Sequence, residues 1–116
     1  MHEASIMQGV LEFACERMQE QGASRIHCLR LRVGVLSGVV PEALEFAFEA
    51  MKAETPAAEA TLDLDLEPAR LHCKACGHDF DTTAIAELCP QCGGWQTDVL
   101  QGQALDLVSM EVSGEE

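Results

Sequence analysis

The pattern of apolar and polar positions predicts two helices. Apolar residues recur at helical spacing over residues 5–21, while the glutamates of this segment fall on the opposite face. A second helix is predicted over residues 41–52, PEALEFAFEAMK, because Pro41 suits the first helical position. The stripe of the first helix comprises Met7, Val10, Leu11, Ala14 and Met18.

Three further segments alternate between apolar and polar residues, which predicts β-strands. They are RIHCLRLRVGVL at residues 25–36, TLDLDLEP at 61–68 and ALDLVSMEV at 104–112. In the first of them His27, Leu29, Leu31, Val33 and Val35 are predicted to share one face. In the second, the acids that alternate with leucine are expected to be ordinary solvated side chains.

The order of these elements indicates an α+β fold. The last strand can bury its apolar side only on the sheet of the first two strands, so the cysteine-rich segment between them is an insertion. We therefore expect a small sheet of about three strands packed by two helices, with an inserted zinc-ribbon-like module that carries four cysteines. The predicted domains are residues 1–70 plus 102–116 and residues 71–101.

Composition narrows the classes of function. The chain has 116 residues and a formal net charge of −13, from 20 acidic and 7 basic side chains. Nucleic-acid binding depends on lysine and arginine, so this charge argues against it and is compatible with metal cations or a basic protein surface. The sequence has neither a signal-peptide pattern nor an apolar run of about 18 residues, so we expect a soluble cytoplasmic protein without membrane contact.

The cysteine-rich segment predicts a zinc site. Cys73-x-x-Cys76 and Cys89-x-x-Cys92 form two pairs separated by 12 residues. Each pair bends the chain into a knuckle, and four thiolates at this spacing favour a tetrahedral Zn²⁺. Because all four ligands come from the protein, none is left open for a substrate, and the zinc is expected to be structural.

Two other classes of metal site share this pattern of cysteine knuckles. A rubredoxin-like iron centre uses similar pairs but separates them more widely within an aromatic-rich core, and a nucleic-acid-binding zinc ribbon needs basic and aromatic faces. The nearby histidines, His72 and His78, could tune the zinc or reach a second metal, or they could be solvated loop residues. Cys15 and Cys28 are predicted to be buried structural thiols.

The sequence MHE at the start of the chain allows two interpretations. It could simply begin a helix, with Glu3 favourably placed against the helix dipole. Alternatively, a bulky His2 should prevent removal of Met1, which leaves a free amine beside the His2 amide nitrogen and Nδ1. These donors can close two fused chelate rings on a square-planar ion such as Ni(II) or Cu(II).

Three motifs follow one another along the chain: MHE, GVLSGVVPEALEFAFE and the CKACG…CPQCGG module. Together, and in this order, they resemble the HypA/HybF family of hydrogenase maturation proteins. The resemblance implies a nickel metallochaperone, not an enzyme, that delivers Ni(II) to the large-subunit precursor of [NiFe]-hydrogenase alongside a HypB-type GTPase. It places transferred nickel on Met1, His2 and Glu3, and structural zinc on Cys73, Cys76, Cys89 and Cys92.

Some relatives carry a histidine soon after the second cysteine pair, where this chain has Gly93, Gly94 and Trp95. Of the histidines beside the knuckles, His78 remains a candidate for metal sensing. Two other functions stay open from the residues alone: a zinc-ribbon adaptor that binds proteins but no nickel, and a rubredoxin-like iron electron carrier.

Overall fold

The computed structural model describes residues 2–83 and 88–114, which fold into two compact units. The elements are α1 (His2–Glu20), β1 (Ala23–Gly34), α2 (Pro41–Met51), β2 (Thr61–Glu67), β3 (Ala69–Cys73), β4 (Asp79–Thr82), β5 (Thr97–Gln101) and β6 (Leu105–Gly114). The first unit comprises residues 1–31, 39–65 and 106–116, and the second comprises residues 32–38 and 66–105. Within the described residues, no helix is long and apolar enough to cross a membrane.

The first unit contains both helices, which pack against each other. Strand β1 lies in the middle of a three-stranded sheet, in the order β2-β1-β6. The predicted stripe of α1 is largely buried, as is Phe48 of α2, and each large side chain buried in this way stabilises the fold by roughly 1.5–3 kcal/mol. The buried residues of these elements include Met7, Leu11, Ala14, Met18, Leu29, Leu31, Leu44, Ala47 and Phe48.

One strand prediction is wrong at the start of β1. His27 was expected on the apolar face, but it is exposed, and the neighbouring Ile26 is buried instead. The Ile26 amide donates to the Pro56 carbonyl at 3.0 Å, while His27 Nε2 lies 2.8 Å from the Ser113 hydroxyl. A polar partner thus holds the imidazole at the surface, and the regular alternation begins only at Leu29.

The second unit has a sheet of its own, in the order β4-β3-β5, which the sequence pattern did not predict. Strand β3 pairs antiparallel with both neighbours. Its Leu71 lies opposite Phe80, and these two side chains form a small core with Cys73 and Cys89 against which Leu36 packs.

Residues 32–38 belong to this second unit because their backbone is hydrogen-bonded there. The Val35 amide donates to the Glu67 carbonyl at 3.0 Å, and the Leu36 amide donates to the Gly102 carbonyl at 2.7 Å. The second unit, residues 32–38 and 66–105, is therefore larger than the cysteine module predicted from the sequence, residues 71–101. The domain division into 1–70 plus 102–116 and 71–101 stays a prediction.

Gly34 is packed so closely that alanine is expected to destabilise this unit. A Cβ at this position would lie 2.1 Å from the Gly102 carbonyl oxygen, which is backbone and cannot swing aside. We expect Gly34→Ala to lower the free energy of unfolding by about 1–3 kcal/mol, the usual cost of overpacking, in a urea titration. Gly9→Ala on α1 is the control, because nothing lies within 4 Å of its added carbon. Equal stability of the two variants would contradict the close approach.

Candidate metal centres

The four knuckle cysteines converge on one point in the second unit. Their Sγ atoms all lie within 4.8 Å of one another. The Cys73 and Cys92 sulfurs are 3.6 Å apart, and those of Cys76 and Cys89 are 3.7 Å apart. Four sulfurs around a tetrahedral zinc, at Zn–S distances of about 2.3 Å, would be separated by about 3.8 Å. The cluster therefore has the size that a single zinc ion requires.

The two knuckles have equivalent backbone geometry. The Gly77 amide donates to the Cys73 carbonyl at 2.8 Å, and the Gly93 amide donates to the Cys89 carbonyl at 2.8 Å. Both glycines lie in the left-handed region, with φ of 80° and 76°, where a side chain would introduce strain. The glycine that follows each cysteine pair is thus required by the turn.

Backbone amides point at the sulfurs of the second knuckle. The Gln91 amide lies 3.4 Å from Cys89 Sγ, and the Gly94 amide lies 3.4 Å from Cys92 Sγ. Such donors stabilise a thiolate more than a thiol. A Cβ on Gly94 would approach Cys92 Sγ to 3.2 Å, so this position has little room for a larger residue.

The acidities of the clustered thiols show why a cation fits here. The hydrogen bond from the Cys76 backbone amide has the largest effect on the Cys73 thiol. It outweighs the opposing effect of burial and, with weaker hydrogen bonds, lowers the pKa of that thiol to about 7. At Cys76 the His78 amide lowers the pKa, but burial and the three neighbouring thiols outweigh it and raise the pKa to about 12. The first thiol of the cluster loses its proton readily, but the negative charge of that thiolate disfavours deprotonation of its neighbours. A bound cation is therefore needed to keep all four thiols deprotonated.

The flanking histidines lie outside the four-sulfur cluster. His72 Nδ1 is 2.6 Å from Asp79 Oδ1, and this hydrogen bond holds the pKa of the Asp79 carboxyl below its usual range. The His78 ring stacks on Phe80, with ring centroids 6.2 Å apart and planes inclined by 12°. Both imidazoles thus have a local contact that accounts for their position.

The two remaining cysteines are separate from the cluster. Cys15 on α1 and Cys28 on β1 are half-buried free thiols. Burial raises the pKa of the Cys15 thiol, which keeps it protonated at neutral pH. They are less buried than the sequence indicated, and neither belongs to the metal-sized group of sulfurs found among the described residues.

At the amino terminus, Glu3 connects the beginnings of the two helices. Its Oε2 accepts a hydrogen bond of 3.0 Å from the Val40 amide, directly before α2. Sequence reasoning missed this contact because the two residues are 37 positions apart and valine gives no side-chain signal. Of the other predicted nickel ligands, His2 is the first residue of α1, while Met1 and the His2 side chain lie outside the described part of the structure.

Comparison with known proteins identifies similar chains over nearly the full length. The family model described as hydrogenase/urease nickel incorporation, metallochaperone, HypA matches residues 1–112. The hydrogenase maturation factor HypA of Geobacter sulfurreducens is 43% identical over 112 residues, which cover 97% of this chain and 99% of that protein. The HypA of Rhizobium leguminosarum bv. viciae is 40% identical over 115 residues, with coverage of 97% and 99%.

The fold of a solved structure is similar as well. The solution structure of the Ni metallochaperone HypA from Helicobacter pylori aligns with a TM-score of 0.69 at 26% identity, covering 97% of this chain and 98% of that chain. The likeness therefore includes both the α+β unit and the four-cysteine unit, and it confirms the fold class predicted from the sequence.

Proposed function

Because this chain belongs to the HypA family of nickel-incorporation metallochaperones and hydrogenase maturation factors, we propose that it binds Ni(II) at its amino terminus and delivers the ion to the large-subunit precursor of a [NiFe]-hydrogenase. The family is one of maturation factors and not of enzymes. The observation that carries the proposal is the start of α1 at His2, with Glu3 tied to the chain before α2.

The start of α1 at His2 leaves one of the proposed donors, the His2 amide nitrogen, without a role in the helix. The first amides of an α-helix have no carbonyl partner within the helix, so the His2 amide is not needed to stabilise α1. A bound Ni(II) could therefore displace the amide proton into solvent and take its place on the nitrogen without breaking a hydrogen bond of the helix. The Met1 amine and the His2 imidazole would complete the planar donor set that suits Ni(II).

Glu3 has a second role in this proposal besides that of a possible ligand. One of its two carboxylate oxygens accepts the Val40 amide, and the same carboxylate carries its negative charge into the first turn of α1. A hydrogen bond therefore holds the first turn of α1 against the chain before α2. A site with few protein ligands suits a carrier that must also release its ion.

We propose that the resident metal is zinc, held by Cys73, Cys76, Cys89 and Cys92. The tetrahedral size of the sulfur cluster and its need for a cation support this assignment. The ion supplies charge neutralisation and cross-links the two knuckles, which stabilises the fold of the second unit. With four protein ligands, it would have no open position for a reactant.

The family implies partners in hydrogenase maturation. We propose that these are a HypB-type GTPase and the hydrogenase large-subunit precursor, met in the cytoplasm. A net charge of −13 makes nucleic acid an unsuitable partner. Nickel transfer to the precursor, followed by hydrogenase activity after complementation of a deletion strain, tests delivery directly. A protein that binds nickel but restores no activity would contradict the delivery step and leave the nickel site intact.

Nickel affinity is expected to decrease as the pH is lowered. Protons compete with the ion for the His2 imidazole, whose ordinary pKa is about 6.5, and for the terminal amine, whose ordinary pKa is about 7.7–8.0. Each proton that the metal displaces should weaken binding by about tenfold per pH unit below the corresponding pKa. Calorimetric titrations between about pH 5.5 and 8 measure this slope, since the range includes both ordinary pKa values. A constant affinity across this range would exclude a site built from these two nitrogens.

A further inference from the structure

A groove with an apolar floor and an acidic rim lies along α1 in the first unit. Its cavity volume is about 490 Å³, and it extends from the middle of α1 to the end of α2. The floor is formed by Leu11, Cys15 and Met51. Burial raises the pKa of the Cys15 thiol, so this floor carries no charge at neutral pH. Two of the floor side chains contain sulfur, which adapts to apolar groups of different shapes.

The rim of this groove is negatively charged. Glu12 and Glu16 are exposed on its α1 side, one helical turn apart. Gln8 Nε2 donates a long hydrogen bond of 3.4 Å to Glu12 Oε2, and no lysine or arginine is among the described residues that line the groove. Nearby cations are engaged elsewhere, since Arg17 pairs with Glu20 at 3.4 Å and the Lys52 Nζ lies 3.1 Å from Glu49.

We propose that this groove binds a basic amphipathic helix of a protein partner. The two rim carboxylates are separated by about 6 Å along the axis of α1, the rise of four residues. Lysine or arginine residues four positions apart on a partner helix have the same spacing, so both can face Glu12 and Glu16 at once. An apolar side chain between them would then enter the floor, as in other helix-in-groove complexes.

A second copy of this chain does not supply such a helix. Arg17 is the sole lysine or arginine of α1, and α2 has none. Two copies, each with a net charge of −13, would also repel one another. The occupant is therefore a different protein. The inference does not depend on nickel binding, because none of the described residues that line the groove is a proposed nickel ligand.

The test uses a synthetic helical peptide of about 15 residues, long enough for helix formation, with leucine on one face and lysine pairs four positions apart. Added to the ¹⁵N-labelled full chain, it should shift amide signals of residues 8–16 and 51–55. The double variant Glu12→Gln/Glu16→Gln should bind it roughly fivefold to tenfold more weakly, since two surface ion pairs are lost. The matched control, Glu45→Gln/Glu59→Gln, removes the same charge from exposed positions outside the lining and should bind normally.

Several results would overturn the docking site. They are the lack of any binding, shifts confined to other residues, and equal affinity of the rim variant and the control variant. Equal binding of a peptide with leucine replaced by alanine would mean that the attraction is of charge alone and that the floor is not used. Nickel titration of both double variants should give the affinity of the parent chain, so a failure of the groove is distinguishable from a failure of the nickel site.

Discussion

Replacing His2 with alanine is expected to abolish Ni(II) binding and to leave the fold intact. The variant removes the imidazole and with it one of the two fused chelate rings, so the affinity should fall by more than about 100-fold, beyond what loss of a supporting residue costs. His2 is the first residue of α1, and helix ends contribute little to packing stability. A calorimetric nickel titration with elemental analysis for zinc measures both effects on one sample.

A chain with a few residues fused ahead of Met1 tests the role of the terminal amine separately from that of His2. Every side chain remains, but the nitrogen of the terminal amine becomes part of an amide and can no longer donate the lone pair of a free amine to the metal. The extended chain should therefore also bind nickel weakly, whereas His72→Ala, which alters a histidine held by Asp79, should bind it normally. Equal affinity in the parent, extended and His2→Ala proteins would show that the terminus only begins a helix.

The helices and long strands could be predicted because their burial is decided by local periodicity. The stripe of α1 is largely buried, as expected, and Pro41 lies in the first turn of α2. The errors occur where a distant partner overrides the pattern. At His27, Ser113 provides a polar neighbour 86 residues away, and no property of the segment itself indicates which of the residues at 26 and 27 is buried.

The sheet of the second unit was missed for a different reason. Strands β3, β4 and β5 have only 5, 4 and 5 residues, too few for periodicity to stand out from chance. A signal exists in retrospect, since Leu71 and Cys73 alternate with polar residues, as do Phe80 and Thr82. The segment 32–38 joins this unit through backbone hydrogen bonds, which any residue except proline can donate, so they leave no side-chain signal in the sequence.

The candidate sites also differ in whether local sequence or packing of distant segments determines them. The four-cysteine cluster could be predicted because ligand type and spacing alone determine how the knuckles close. The hydrogen bond between Glu3 and the Val40 amide could not, since it depends on how α1 and the start of α2 are arranged in space. The groove at Glu12 and Glu16 is likewise a property of packing, because on the sequence these acids are indistinguishable from any solvated helix face.

Cys76→Ser is expected to remove the zinc and to unfold the second unit while the first unit persists. The apolar core of that unit is small, comprising Leu71 and Phe80 with Leu36 packed against them and two of the cysteines themselves. So few buried side chains offset little of the entropy cost of ordering residues 66–105. Zinc binding to such a module contributes on the order of 10–16 kcal/mol, so most of its folding energy depends on the metal.

The experiment compares zinc content by elemental analysis with amide signals across the chain. In Cys76→Ser, zinc should fall far below one equivalent and the signals of β3, β4 and β5 should collapse to unfolded positions, while those of α1 and α2 remain dispersed because their core contains no cysteine ligand. Cys28→Ser is the control: this half-buried thiol lies outside the cluster, so zinc and both sets of signals should be retained. A red, iron-containing parent protein would identify the metal as iron, and a Cys76→Ser protein with a full equivalent of zinc would show that the four sulfurs are not the site.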